Sequence, residues 1–323
     1  MPSAQLMGDV PKSRLDTIAP YATTLVDLMG PLPITRSGRK GSKAYVVVYT
    51  CGTYHAVSFE LIFSLSADEF IMSLIRFNSR HPYGLKTLIS DNGTNFVKAD
   101  SDLKEALCAF KKIDLCNASM NGMKLQGVEW LFGVPKTGWT VGKVERAVGS
   151  AKQLMFTMLS KENLEVEILR TTLCQIELIL NSRPVTHVSD DPDDYSALRP
   201  LDFLLSSPAQ EPSANVLPPG DVNLKEKWTL ARELSDTFAK RWKKEYLSSL
   251  IPRSKWRTAK PNLGPGDLVV VQDDRLQRHQ WKVGRITEVK APNSVQVRRV
   301  LVKFPDGKIL ERHHNSLVKL ELD

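Results

Sequence analysis

Between residues 20 and 62 the apolar positions fall into short runs rich in β-branched and aromatic residues. Three strands are predicted from them: 23–28, 43–51 with Tyr45-Val46-Val47-Val48-Tyr49 at its centre, and 54–62, where Ala56-Val57-Ser58-Phe59-Glu60-Leu61 alternates. Cys51-Gly52-Thr53 suits a tight hairpin, which sets the third strand antiparallel to the second. The period then changes. Ser66 and Glu69 have capping-box spacing, and Phe70, Ile71, Leu74, Ile75 and Phe77 follow on one helical face, so a helix is expected that ends before Pro82.

Further along, 86–90 and 128–132 read as buried strands and 99–111 as a helix between them. After a turn-rich stretch at 133–142 come two more helices, 144–162 and 166–182. The order βββ-α-β-α-β-α-α predicts an α/β unit with a mixed sheet flanked by helices. Residues 1–20 form a polar lead-in, 21–189 this unit, and 190–223 an irregular connector rich in Pro, Ser and Asp. A basic helical segment over 224–262 carries a long helix at 224–250, with Trp228, Leu234, Phe238, Trp242 and Leu247 interleaved with lysines. The final segment, 263–323, has strand signals at 268–271, 281–288, 296–303 and 309–312, the pattern of a small β-barrel.

Charge separates these parts. The chain carries a net +8 over 323 residues, yet residues 1–220 hold 22 Lys/Arg against 23 Asp/Glu while 221–323 hold 22 against 13. The basic excess sits in the C-terminal third and points to a polyanionic partner there; a merely solvated surface is the plainer alternative. Cys51, Cys108, Cys116 and Cys174 are widely spaced, with no C-x-x-C pair and no histidine at zinc-finger spacing, so no zinc site and only reduced thiols are expected. No apolar stretch approaches the ~18 residues of a membrane span and no signal pattern opens the chain; a soluble intracellular protein without a membrane partner is expected.

Three acids carry the candidate chemistry. Asp27 stands in Leu25-Val26-Asp27-Leu28, Asp91 in Ile89-Ser90-Asp91-Asn92-Gly93, and Glu145 in Gly142-Lys143-Val144-Glu145-Arg146. Where the first and fourth strands are neighbours, both aspartates emerge at one edge of the sheet. A helix crossing that edge adds the glutamate, with Val144, Val148, Ala151, Met155 and Met158 as its buried stripe. Converging carboxylates hold hard divalent cations, and two such ions clamp an in-line attack on a phosphodiester. Each acid also has an ordinary reading. Asp91-Asn92-Gly93 suits a simple turn, Glu145 a routine helix entry, and Asp27 in an apolar strand needs either a metal or a salt bridge. Glu60 and Glu129 also lie in strands, and their alternation predicts side chains facing outward.

These segments resemble the catalytic core of retroviral-type integrases, most closely those of BEL/Pao-type LTR retrotransposons. The likeness rests on Val26-Asp27-Leu28-Met29-Gly30-Pro31-Leu32, Ser90-Asp91-Asn92-Gly93-Thr94-Asn95-Phe96 and the run from Gly142 to Lys152. Leu180-Asn181-Ser182-Arg183-Pro184 and the segment from Lys255-Trp256-Arg257 to Gly266-Asp267-Leu268-Val269 add to it. It covers nearly the whole chain, and its order and spacing are more specific than any single motif. The resemblance implies a ribonuclease-H-like five-stranded sheet followed by a basic helix and a small SH3-like barrel. It makes Asp27, Asp91 and Glu145 a DDE triad holding Mg2+ or Mn2+, two ions with DNA bound. It implies trimming of an element's DNA ends and attack of the 3′-hydroxyl on target DNA by a homo-multimer, in the nucleus where that DNA lies. DNA contacts are expected from Lys143, Arg146, Lys152, Lys240, Arg241, Lys243, Lys244, Arg298 and Arg299, with a solvated helix lysine the plainer role for Lys152. Where the family commonly has a histidine and paired glycines, this chain has Trp139-Thr140-Val141-Gly142, and it shows no upstream His/Cys zinc domain. A fragment of a longer polyprotein or a host-retained derivative would look like this.

Two other classes stay open at this stage. One is a nucleic-acid or chromatin adaptor that keeps the fold without turnover. The other is a ribonuclease-H-like nuclease, for which a fourth carboxylate has no assignment. The aromatics of the basic helix are expected to pack rather than stack on bases. A peptide-binding barrel is distinguished from a phosphate-gripping one by its weak salt dependence.

Overall fold

The computed structural model describes residues 19–81, 85–90, 128–132, 142–187, 195–205, 225–250, 263–273, 276, 280–290 and 299–320. The chain divides into two units, Met1–Glu177 with Leu224–Leu234, and Leu178–Asn223 with Ser235–Asp323. The helix expected at 99–111 lies outside the described residues.

The first unit is built on a mixed sheet of order β3-β2-β1-β4-β5, made of β1 (Thr23–Arg36), β2 (Arg39–Cys51), β3 (Val57–Ile62), β4 (Thr87–Ser90) and β5 (Glu129–Phe132). β1, β2 and β3 pair antiparallel, whereas β4 runs parallel to both β1 and β5. The first and fourth strands are thus neighbours, as the placement of the acids requires. β1 is longer than the predicted 23–28 because it absorbs Gly30-Pro31 in a register shift between Met29 and Leu32. Gly30 has φ +141°, and a Cβ there would lie 2.9 Å from Tyr45 Cδ1 and 3.1 Å from the Ala44 carbonyl, so only glycine lets the strands close at this point. The longer β1 also gains a short parallel partner, β6 (Leu164–Glu165), for which two residues gave no readable signal.

Helix α1 (Ala67–Arg80) begins where the capping box predicts, with Ser66 Oγ accepting from Glu69 N at 3.3 Å. Phe70, Leu74 and Phe77 are fully buried, Phe77 stacks on Tyr49 at 4.1 Å, and the Tyr49 and Ser73 hydroxyls lie 2.8 Å apart. α2 (Gly142–Leu159) buries Ala151, Leu154, Met155 and Leu159, and packs against β1. Val148 and Met158, expected in its buried stripe, are only partly covered.

α3 (Val166–Asn181) follows β6, and its Glu177 reaches the edge strand, accepting from Phe59 N at 2.9 Å. Every residue of β3 is buried. This corrects the outward reading of Glu60, which is 5% exposed and pairs with Arg76 and Arg80 of α1. Alternation predicts exposure only where one face of a strand meets water, and α1 covers the face that Glu60 shares.

Burial pushes the Glu177 carboxyl up to about 7, against the pull of the Phe59 N–H, Arg80 and the Ser58 hydroxyl, and Glu60 adds to the rise. Between pH 4.5 and about 7 the folded chain therefore keeps a proton that the unfolded chain has lost. Stability falls as pH rises through that window and the loss is complete above it. Glu177→Gln still offers an acceptor to Phe59. The variant is expected to match the parent near pH 4 and to exceed it by about 1–3 kcal/mol at pH 8 in urea denaturation. Equal stabilities at both pH values would contradict this.

In the second unit, the stretch read as an irregular connector contains regular structure. A two-stranded ladder joins β7 (Thr186–His187) to β8 (Ala197–Leu198), and α4 (Pro200–Leu204) opens with proline at its first position and with the Asp202 carboxylate accepting from Arg199 N at 2.9 Å. The long helix α5 (Lys225–Leu250) spans residues of both units. A five-stranded antiparallel sheet of order β12-β11-β10-β9-β13 completes the second unit. Its strands are β9 (Leu268–Val271), β10 (Lys282–Lys290), β11 (Arg299–Lys303), β12 (Ile309–His313) and β13 (Leu317–Lys319). β13 returns beside β9 through a 3-10 turn at His314–Ser316. Three residues after a His-Asn-Ser turn carry too weak a pattern to be read as a strand. Val269, Ile286, Val300, Val302 and Phe304 form the core, and Gly284 admits β11 because a Cβ there would meet Val302 Cγ1 at 2.5 Å.

Candidate metal centre and nucleic-acid interface

Asp27 lies in the middle of β1, opposite Val48 of β2. Its neighbours Val26 and Leu28 are buried, but its own side chain is 43% exposed, so the sheet presents this carboxylate to solvent. One oxygen accepts from the backbone N–H of Leu28 at 2.8 Å and the other is paired with the Lys152 ammonium. The need for a countercharge at Asp27, legible from its apolar strand, is met here by a salt bridge.

The second acid is approached through β4. Its last residue, Ser90, pairs with Val26, one position before Asp27, and Asp91 is the next residue in the chain. Asp91 itself lies outside the described residues. The third acid, Glu145, stands in the first turn of α2, the helix that also carries Lys152. Glu145 and Lys152 are seven residues apart, roughly 10 Å along the axis, and helix side chains lean toward the N-terminus. Glu145 and Lys152 thus stand about two turns apart on one side of α2. The side chains of Lys143, Glu145 and Arg146 are outside the described residues, and no group of three metal-ligating side chains occurs among those described. What can be tested is whether Asp27 suits a hard cation. It is an oxygen donor reached from solvent, and it already pairs with one cation, the Lys152 ammonium, so its chemistry fits a hard ion.

The predicted basic contacts separate on α5. Phe238 and Trp242 are fully buried and stacked, and Trp242 continues onto Tyr246 at 4.9 Å, so these aromatics are packing residues. Trp228 is 40% exposed beneath the Arg232 guanidinium. Lys240, Lys243 and Lys244 line a cleft of about 300 Å³ between α5 and the sheet of the second unit, together with Lys282, Trp281, Asp236 and Asp273. Lys240 and Lys244 are exposed, as is Arg241, which is not among the lining residues. Lys243 turns inward, donating to the Gln280 carbonyl at 2.7 Å and lying 5.2 Å from the Trp281 ring centre, and burial lowers its ammonium to about 8. Asp273 answers Lys282 at 3.6 Å. On the sheet, Arg299 is exposed and shares Glu311 with Lys290, while Arg298 lies outside the described residues. Among the described residues, no helix is long and apolar enough to cross a membrane.

Residues 226–320, which span most of α5 and the second sheet, match DUF5641, a family of unknown function. No curated protein matches the chain. Among solved structures, the chain is similar to one in the simian T-cell lymphotropic virus intasome in complex with the PP2A regulatory subunit B56 gamma. The two are 15% identical, the match covers 95% of this chain and 81% of that one, and the TM-score is 0.34.

Proposed function

We propose that the chain is an integrase-like DNA strand transferase of the retroviral kind, nearest to those of BEL/Pao-type LTR retrotransposons, which trims element DNA ends and joins them to target DNA. The observation that carries the reading is the meeting of three chain segments at Asp27. β1 supplies Asp27, the register of β4 ends one residue short of Asp91 and beside Val26, and α2, which bears Glu145, is pinned to Asp27 by Lys152. The sheet order and its flanking helices suit a ribonuclease-H-like core, and the fifth strand returning to the first through a 3-10 turn suits an SH3-like barrel.

In this reading Asp27, Asp91 and Glu145 hold Mg2+ or Mn2+. When bound with DNA, two such ions supply positive charge to the attacking and leaving oxygens of an in-line displacement. The protein's own part is positioning. β1 fixes the Asp27 carboxylate through the Leu28 N–H, and the exposed Lys240 and Lys244 of α5 with Arg299 grip phosphates while element ends are paired in a multimer. The site of action is then the nucleus.

The test is a nicking and strand-transfer assay on short duplex DNA with Mg2+ or Mn2+. Metal-dependent joined product is expected, and duplex affinity should fall steeply between 50 and about 200 mM salt. Salt-sensitive binding with no product under either metal would overturn the enzyme in favour of an adaptor that keeps the fold. Preference for an RNA–DNA hybrid would favour the nuclease.

A further inference from the structure

Lys152 is 14% exposed while its partner Asp27 is 43% exposed, so the lysine is drawn down onto the strand and the carboxylate remains the accessible member of the pair. Its ammonium is bound to one oxygen of Asp27 and the other oxygen accepts from Leu28 N, which leaves neither oxygen without a donor. A divalent ion approaching Asp27 therefore meets a fixed positive charge that it must displace. We infer that Lys152 is a gate for metal loading: it occupies the cation position at Asp27 in the absence of substrate, and nucleic-acid phosphate draws it off and opens that position to the ion. This rests on the metal-centre reading above and adds a regulatory step to it.

The physical basis is competition among charges at one point. An ammonium in hydrogen-bond contact and a divalent ion cannot share the same carboxylate oxygen without repulsion, whereas a lysine has a flexible four-carbon stem and can swing to another anion nearby. A duplex phosphate is such an anion. Because the ion needs Asp27, the phosphate needs Lys152, and each must break the same Lys152–Asp27 pair, metal and DNA become linked, each raising the affinity for the other by the same factor. A lysine fixed to Asp27 only to hold α2 in place would show no such linkage.

The experiment measures Mn2+ binding to the full chain by electron paramagnetic resonance, with and without a short blunt duplex, for the parent, Lys152→Met, Lys152→Arg and Asp27→Asn, after circular dichroism has shown each to be folded. Lys152→Met is expected to bind Mn2+ about tenfold more tightly than the parent without DNA, and to lose most of the tightening that the duplex gives the parent. Lys152→Arg keeps a cation and should remain within about twofold of the parent. Equal Mn2+ affinities of Lys152→Met and parent, with the same duplex effect in both, would overturn the gate while loss of binding in Asp27→Asn left the metal centre standing. Unchanged Mn2+ binding in Asp27→Asn would remove the metal centre and the gate together.

Discussion

Asp27→Asn is expected to lower metal-dependent nicking and joining at least a thousandfold while the chain stays folded. The substitution keeps the size of the side chain and an acceptor for the Leu28 N–H, so β1 and its register with β2 and β4 are preserved. What disappears is the negative charge. A neutral amide is a poor ligand for Mg2+, and an ion missing from an in-line displacement forfeits several kcal/mol of charge stabilisation, with about 4 kcal/mol equal to a thousandfold in rate. The structural cost is smaller. Lys152, 14% exposed, loses its ion-pair partner, but the position it faces is 43% exposed and admits water to the ammonium, so the cost is about 1–2 kcal/mol. Rate and stability should therefore separate, with a melting temperature within a few degrees of the parent. Retained activity in Asp27→Asn would show that chemistry takes place elsewhere on the molecule. An unfolded variant would show that the Asp27 charge serves structure instead.

Trp242→Ala is expected to destabilise the second unit by about 3–5 kcal/mol, a large part of the 5–15 kcal/mol that holds an ordinary domain. Trp242 is fully buried, stacked between Phe238 and Tyr246, and meets Trp281 edge-on at 6.1 Å. Truncation opens a cavity where the aromatic rings of α5 meet, and these rings cannot all shift to fill it. Tyr246 also donates its hydroxyl to the Pro184 carbonyl at 3.1 Å, so the loss extends to the segment before β7. Trp242→Phe should cost much less. The indole N–H has no hydrogen-bond partner among the described residues, and removing a buried unsatisfied donor offsets part of the lost volume. Urea denaturation followed by hydrogen exchange over residues 235–320 reads both variants. A cost below about 1 kcal/mol for Trp242→Ala would contradict the packing described for α5.

The contrast between these two residues shows what the sequence made legible. Trp242 and Phe238 could be read as core because aromatics four residues apart on a helix share a face, which is a local property. The hairpin of β2 and β3 and the Ser66 cap were legible for the same reason. Asp27 could be marked as needing a countercharge, since a carboxylate in an apolar strand must be met. Its partner could not be named, because Lys152 is 125 residues away and reaches it only through the path α2 takes over β1. Glu60 was misread for a related reason. Alternation reports on two faces of a strand, but whether a helix covers the polar one depends on α1 and its Arg76 and Arg80. Short pieces such as β6 and β13 have too few residues for any period, and pairing with a neighbour defines them. The convergence of three acids is an expectation from order and spacing; the pairing of β1 with β4 sets Val26 beside Ser90, while Asp91 and the Glu145 side chain lie outside the described residues.

Asp91 provides the most direct test, since it follows Ser90 in the chain and is the second carboxylate of the proposed metal centre. Product from a short duplex, in Mg2+ and in Mn2+, should be measured side by side for the parent and Asp91→Asn at equal DNA occupancy. Nicked and joined product is expected from the parent and none from Asp91→Asn, with duplex affinity the same for both. Equal product from the two proteins would contradict the proposed metal centre.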